Sequence, residues 1–123
     1  MSQFILMTSV ESFQEILPIS KEKPVLILKH STACPISAQA YAEVEEFSNE
    51  IEQNSMEIRV VHVIEDRPVS NEIASYFGIQ HASPQIFIIQ NQKVIFHATH
   101  FDITKSALLS TYNEMIEKDQ HGK

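Results

Sequence analysis

Short apolar runs that alternate with stretches of helical spacing restrict the fold of this chain more than any other feature. Val25-Leu26-Ile27-Leu28 is continuous and apolar, Ile58 to Ile64 is rich in β-branched residues, and Gln85 to Ile89 and Val94 to Ala98 flank Asn91-Gln92-Lys93. Runs of this length read as strands, and those without polar alternation read as strands covered on both faces. The last two read as a β-hairpin, although its turn lacks glycine. Met1 to Met7 is short and apolar enough to add an edge strand.

The intervening segments carry helical signals. Thr8-Ser9-Val10-Glu11 has the spacing of a capping box ahead of Val10, Phe13, Ile16 and Leu17, which share a face, and Pro18 is expected to end that helix. From Pro35 to about Ile51, the residues Tyr41, Val44, Phe47 and Ile51 recur at helical spacing, with Glu43, Glu45, Glu46, Glu50 and Glu52 as a solvated face. Asp66-Arg67-Pro68 caps and starts a helix that should stop at Gly78. Asp102 is expected to cap a last helix turning Ile103, Ala107, Leu108 and Met115 to the sheet, with a polar tail from about Lys118. The order βα, βα, βα, ββα predicts an α/β fold in which one mixed sheet has helices on both faces.

At 123 residues the chain has room for one domain, residues 1–123, and 43% apolar against 20% charged residues suits a packed core. A formal charge of −7 offers no electrostatic footing for a nucleic-acid backbone or an anionic membrane. No apolar run approaches the roughly 18 to 20 residues of a membrane span, and Met1 to Val10 lacks the basic start of a secretory signal. A cytoplasmic protein is the expectation. With two glycines, one of them Gly122, nothing suggests a phosphate-cradling loop.

Cys34 is the only cysteine, so the chain holds no internal disulfide and no zinc site built on several thiolates. A lone cysteine is usually a small buried hydrophobe. This one falls at the end of a predicted central strand and the start of a helix, where open α/β sheets place their ligand sites. Unpaired amides and the positive end of the helix dipole favour a thiolate there, and cysteines in such settings ionise at roughly 3.5 to 7.5 rather than about 8.5. The hydroxyls of Thr32 and Ser37 are candidates to hydrogen-bond the sulfur. His30 and His81 fall near it, either with a role in proton transfer or thiolate stabilisation or merely satisfying local hydrogen bonds. Lys29, Arg67 and the helix start at Asp102 to Thr104 lie toward the same sheet end, with solvated surface charge the expected reading of Lys29 and Arg67. The six histidines show no metal-ligand spacing, so no metal is expected.

Cys34-Pro35-Ile36-Ser37 is a C-x-x-S form of the redox C-x-x-C pattern, and with Phe77-Gly78-Ile79 and Ser83-Pro84 ahead of a strand it resembles the thioredoxin superfamily. More narrowly, Thr32 to Ser37 together with His81-Ala82-Ser83-Pro84-Gln85 resembles the YtxJ-type monothiol bacilliredoxins, from about Phe4 to about Met115. The resemblance implies a thioredoxin-like fold with a cis bond before Pro84. It implies that Cys34, with Thr32, Pro35 and Ser37 around it, takes bacillithiol from a protein mixed disulfide. Ala33, Ser83 and Pro84 would then contact the substrate. Bacillithiol would be a co-substrate with no bound cofactor, bacillithiolated proteins the clients, and a free low-molecular-weight thiol or a separate reductase would release the adduct. The chain departs from dithiol relatives in lacking a second active-site cysteine and the aromatic residue usual near it. Two other readings are a redox-silent adaptor that binds peptides beside Pro84 and a peroxide-sensing thiol.

Overall fold

A computed structural model describes residues 4–121 of the chain, with side chains to residue 118. The strand expected over Met1 to Met7 is seen as β1, Phe4–Leu6; its first three positions lie outside the described residues. Then follow α1 (Val10–Ile19), β2 (Val25–His30), α2 (Pro35–Glu50), β3 (Glu57–His62), α3 (Arg67–Phe77), β4 (Gln85–Gln90), β5 (Lys93–Thr99), a 3-10 turn (His100–Asp102) and α4 (Lys105–His121).

The sheet order is β1-β3-β2-β4-β5. β1 and β2 run parallel to β3, as helical crossovers require, whereas β4 runs antiparallel to β2 and β5 to β4. All six residues of β2 are buried because the strand is central and covered on both faces. Leu26, Leu28, Ile86 and Ile88 pack with Val44, Phe47 and Leu108 beneath α2 and α4. Val25, Ile27, Phe87 and Ile89 pack with Phe13, Ile16, Val69 and Ile73 beneath α1 and α3. This is a thioredoxin-like α/β fold. Among the described residues no helix is long and apolar enough to cross a membrane.

Five local expectations need correction. The box that opens α1 is built by Ser9 and Ser12 rather than Thr8 and Glu11: Ser12 N–H donates to Ser9 Oγ at 3.1 Å and Ser9 N–H to Ser12 Oγ at 3.2 Å. Pro18 lies inside α1, because so near the helix end it forfeits one bond while Ser20 N–H still reaches Ile16 O at 2.9 Å. Asp102 belongs to the 3-10 turn, and Thr104 caps α4, its Oγ1 accepting from Ala107 N–H at 3.1 Å. That helix also runs to His121, past the tail expected from Lys118. Asp66 does stand at the N-cap of α3, but its side chain makes no capping hydrogen bond.

The hairpin turn closes through Asn91 (φ 54°) and Gln92 (φ 65°), both left-handed as a two-residue primed turn requires. Glutamine there is strained, and tertiary bonds hold it: Asn91 N–H donates to Ser20 O at 2.8 Å and Gln92 N–H to Ser20 Oγ at 2.9 Å.

Candidate functional site

β2 ends at His30, and a turn through Thr32 and Ala33 leads to Cys34, whose N–H reaches Ser31 O at 3.3 Å. Cys34 is the N-cap of α2 in an extended conformation, and Pro35 enters the helix where its missing N–H costs nothing. The Cys34 side chain makes no capping hydrogen bond, and the residue is half-buried. Thr32, Ala33 and Pro35 beside it are exposed. Cys34 therefore stands half-buried among exposed neighbours, at the positive end of a sixteen-residue helix.

Ser37 is not the thiol's partner. Its side chain is fully buried, its Oγ accepting from Ser31 N–H at 2.9 Å and lying 2.7 Å from His30 Nδ1. Among the described residues no hydrogen bond joins the hydroxyl of Thr32 or Ser37 to Cys34, which corrects that expectation. Ser37 instead ties the end of β2, the turn and the first turn of α2 together. His30 is 9% exposed, with its ring 4.9 Å from Tyr41 and 5.9 Å from His62, its register partner on β3. Burial and then the neighbouring His62 hold the His30 imidazole below the ordinary histidine range, against the opposing effects of Ser37 and Glu65.

The Ser83–Pro84 bond is cis. Because Lys29 pairs with Gln85, Pro84 falls beside His30, at the strand end from which the Cys34 turn departs. The loop is held by the side chain of Gln85, which the motif contains without pointing to its role. Gln85 is fully buried, its Oε1 accepting from Ala82 N–H at 3.1 Å while Nε2 donates to Gln80 O at 3.0 Å and to His97 Nε2 at 2.8 Å. Ser83 Oγ is buried and has no hydrogen-bond partner among the described residues. Pro84 O accepts from His100 N–H at 3.1 Å, which fastens the 3-10 turn to the loop.

Lys29 is not a surface charge. It is fully buried on the α1/α3 face, its Nζ 3.1 Å from His81 Nδ1 and 5.8 Å from the centre of the Phe87 ring. Its place in a strand covered on both faces, directly after four apolar residues, was the available signal. Burial pushes its amine down to about 8. His81 Nδ1 also lies 3.2 Å from Ser70 Oγ, and its imidazole is held low by burial first and then by the charges of Lys29 and Arg67. Arg67 is exposed, as expected.

Beside the first turns of α2 a cavity of about 180 Å³ is lined by residues that include Ile36, Gln39, Glu43, His100, Phe101 and Thr104. Phe101, which the sequence reading passed over, is 67% exposed at its rim. The amide end of α4 is already occupied, since Lys105 N–H donates to a Glu43 carboxylate oxygen at 2.7 Å, so the helix start expected at Asp102 to Thr104 is no open anion site. Among the described residues no group of three or more His, Cys, Asp or Glu side chains is placed to hold a metal ion.

Comparison with known proteins agrees with this geometry. A family model described as monothiol bacilliredoxin BrxC matches residues 5–108. A solved protein provisionally described as an oxidoreductase with a thioredoxin fold is 33% identical, with a TM-score of 0.77 over 87% of this chain and 91% of that one. Thioredoxins from Trypanosoma brucei brucei (16% identity, TM-score 0.73, covering 94% of this chain and 92% of that one) and Fasciola hepatica (14%, 0.70, 89% and 97%) share the fold.

Proposed function

Since the chain belongs to the monothiol bacilliredoxin family, we propose that Cys34 removes bacillithiol from proteins that carry it as a mixed disulfide. The Cys34 thiolate attacks the bacillithiol sulfur, the client cysteine leaves as a thiolate, and a Cys34–bacillithiol disulfide remains. A second thiolate, from free bacillithiol or a separate reductase, then attacks the bacillithiol sulfur of that adduct and restores the Cys34 thiolate. The observation that carries this reading is a single half-buried cysteine at a helix start, with a fully engaged hydroxyl at the position of a resolving thiol. A resolving step inside the chain has no group to perform it.

In this reading Thr32, Ala33 and Pro35 form the exposed approach to the sulfur, and the backbone at Ser83, before Pro84, pairs with the extended part of the ligand. The unpartnered Ser83 Oγ is a further polar contact for it.

The test is incubation with a bacillithiolated client, followed by intact mass of both proteins. The client should lose one bacillithiol while this protein gains one, and Cys34→Ser should abolish both changes. Removal of bacillithiol by the Cys34→Ser protein, or an unchanged client with the native one, would overturn the mechanism.

A further inference from the structure

The Gln85 amide can stand in only one orientation. Its two loop partners are backbone groups with fixed roles: Ala82 N–H only donates and Gln80 O only accepts, so the amide oxygen must face Ala82 and the nitrogen Gln80. That nitrogen has two hydrogens and no acceptor capacity. One hydrogen goes to Gln80 O, and the other meets His97 Nε2 at 2.8 Å, which must therefore present a lone pair. The proton of a neutral His97 accordingly sits on Nδ1. Gln85 is fully buried, so solvent does not replace a partner it loses, whereas His97 is exposed on the edge strand β5, open to protons from water.

Protonating His97 puts a hydrogen on Nε2 and sets donor against donor. The conflict ends in one of two ways. The imidazolium turns away and leaves a buried amide hydrogen unpaired, or the Gln85 amide flips to accept from it and drops both Ala82 N–H and Gln80 O. Either way the tie between β5 and the loop ahead of the cis Ser83–Pro84 bond is broken.

We propose that His97 is a positioning residue for the ligand-binding loop: its neutral ring pins the Gln85 amide, and through it residues 80–82, while protonation on Nε2 loosens the backbone at Ser83. The inference rests on the reading that Ser83 pairs with the extended part of the ligand. It adds that this pairing weakens as pH falls through the usual histidine range, roughly 5 to 8. On this face of the sheet β4 contributes Gln85 and Phe87, whose ring is centred 5.4 Å from that of His97. β2 contributes Lys29, the register partner of Gln85, with its Nζ 5.8 Å from the centre of the Phe87 ring. His81, in the loop itself, contacts Lys29 and feels the charge of Arg67 at the start of α3. Because His81 also titrates, the test compares proteins that share it.

The comparison sets the native protein against His97→Gln, whose side-chain oxygen accepts from Gln85 but does not titrate, and His97→Leu, which accepts nothing. Ring nitrogen shifts at pH 8 should show the native His97 proton on Nδ1, and finding it on Nε2 overturns the proposal. Between pH 8 and pH 5.5 the exchange protection of Ala82 N–H, corrected for the intrinsic effect of pH, should fall roughly tenfold in the native protein, the scale of one hydrogen bond. In His97→Gln it should fall by less than about twofold, and in His97→Leu it should be low at both pH values. Equal falls in the native and His97→Gln proteins, or no fall in the native one, overturn the proposal. With a bacillithiolated client, KM should rise several-fold more between pH 8 and pH 5.5 for the native protein than for His97→Gln, and equal rises overturn the link to ligand binding. The NMR measurements involve no bacillithiol, so a failed clamp and a failed transfer assay are separable results.

Discussion

Lys29 and His30 are consecutive, polar and buried, yet the strand sends them to opposite faces of the sheet, where they meet different fates. His30 enters the α2/α4 side and engages Ser37, whose hydroxyl oxygen also accepts from Ser31 N–H in the frame of the thiol-bearing turn. Lys29 enters the α1/α3 side and engages His81, which belongs to the loop leading to Pro84. One polar intrusion ties down the turn that leads to the thiol, and the other braces a loop. Burial alone does not mark a functional group: the two differ in which segment their partner belongs to.

Three outcomes would break or sharpen that contrast. The largest is expected from Lys29→Ala, which leaves a cavity and strips His81 of its buried neighbour; urea unfolding should show a loss of about 2 to 4 kcal/mol. Lys29→Met, which keeps the volume without the charge, should stay within about 1.5 kcal/mol of the native protein. In both, Cys34 alkylation at pH 7 should remain within about twofold of the native rate, and a tenfold change would erase the distinction between the faces.

The next effect is a pH dependence. Burial lowers the Lys29 amine from 10.5 to about 8, so between those values the unfolded chain binds more protons than the folded one. Stability from this group therefore rises with pH across that window, by about 2 to 3 kcal/mol. The urea midpoint should climb from pH 8 to pH 10 relative to that of Lys29→Met, and parallel curves would show the lysine neutral or solvated throughout.

The smallest effect belongs to Phe101, whose exposed ring stands at the rim beside α2. Phe101→Ala should change stability by no more than about 0.5 kcal/mol. It should slow transfer from a protein client several-fold while leaving iodoacetamide alkylation unchanged. Equal slowing of both reactions would place the ring in the chemistry instead of the docking.

Much of this molecule was legible in order. The apolar runs gave the strands, Gly78 at φ 65° ended α3 as its type suggests, and C-x-x-S ahead of Ser-Pro pointed to the thiol and the cis-proline loop. The capping errors share one cause. Thr8-Ser9-Val10-Glu11 and Asp102 offered plausible caps, but neighbouring hydroxyls at Ser9, Ser12 and Thr104 took those places because local hydrogen bonds of similar strength compete and packing chooses between them. Lys29 was read from its residue type, although its strand is covered on both sides. The Asn91-Gln92 turn depends on Ser20, seventy-two residues from Gln92, which no local pattern reveals.

The order of residues alone determined that a lone sulfur would sit between a buried strand and a helix, because apolar periodicity and proline placement act within a few positions of Cys34. Only the tertiary structure decided what surrounds it: which hydroxyl caps, which histidine meets Ser37, and that Gln85 clamps the loop before Pro84. Those choices rest on hydrogen bonds between segments distant in sequence, and each becomes favourable only after the sheet has removed its donors and acceptors from water.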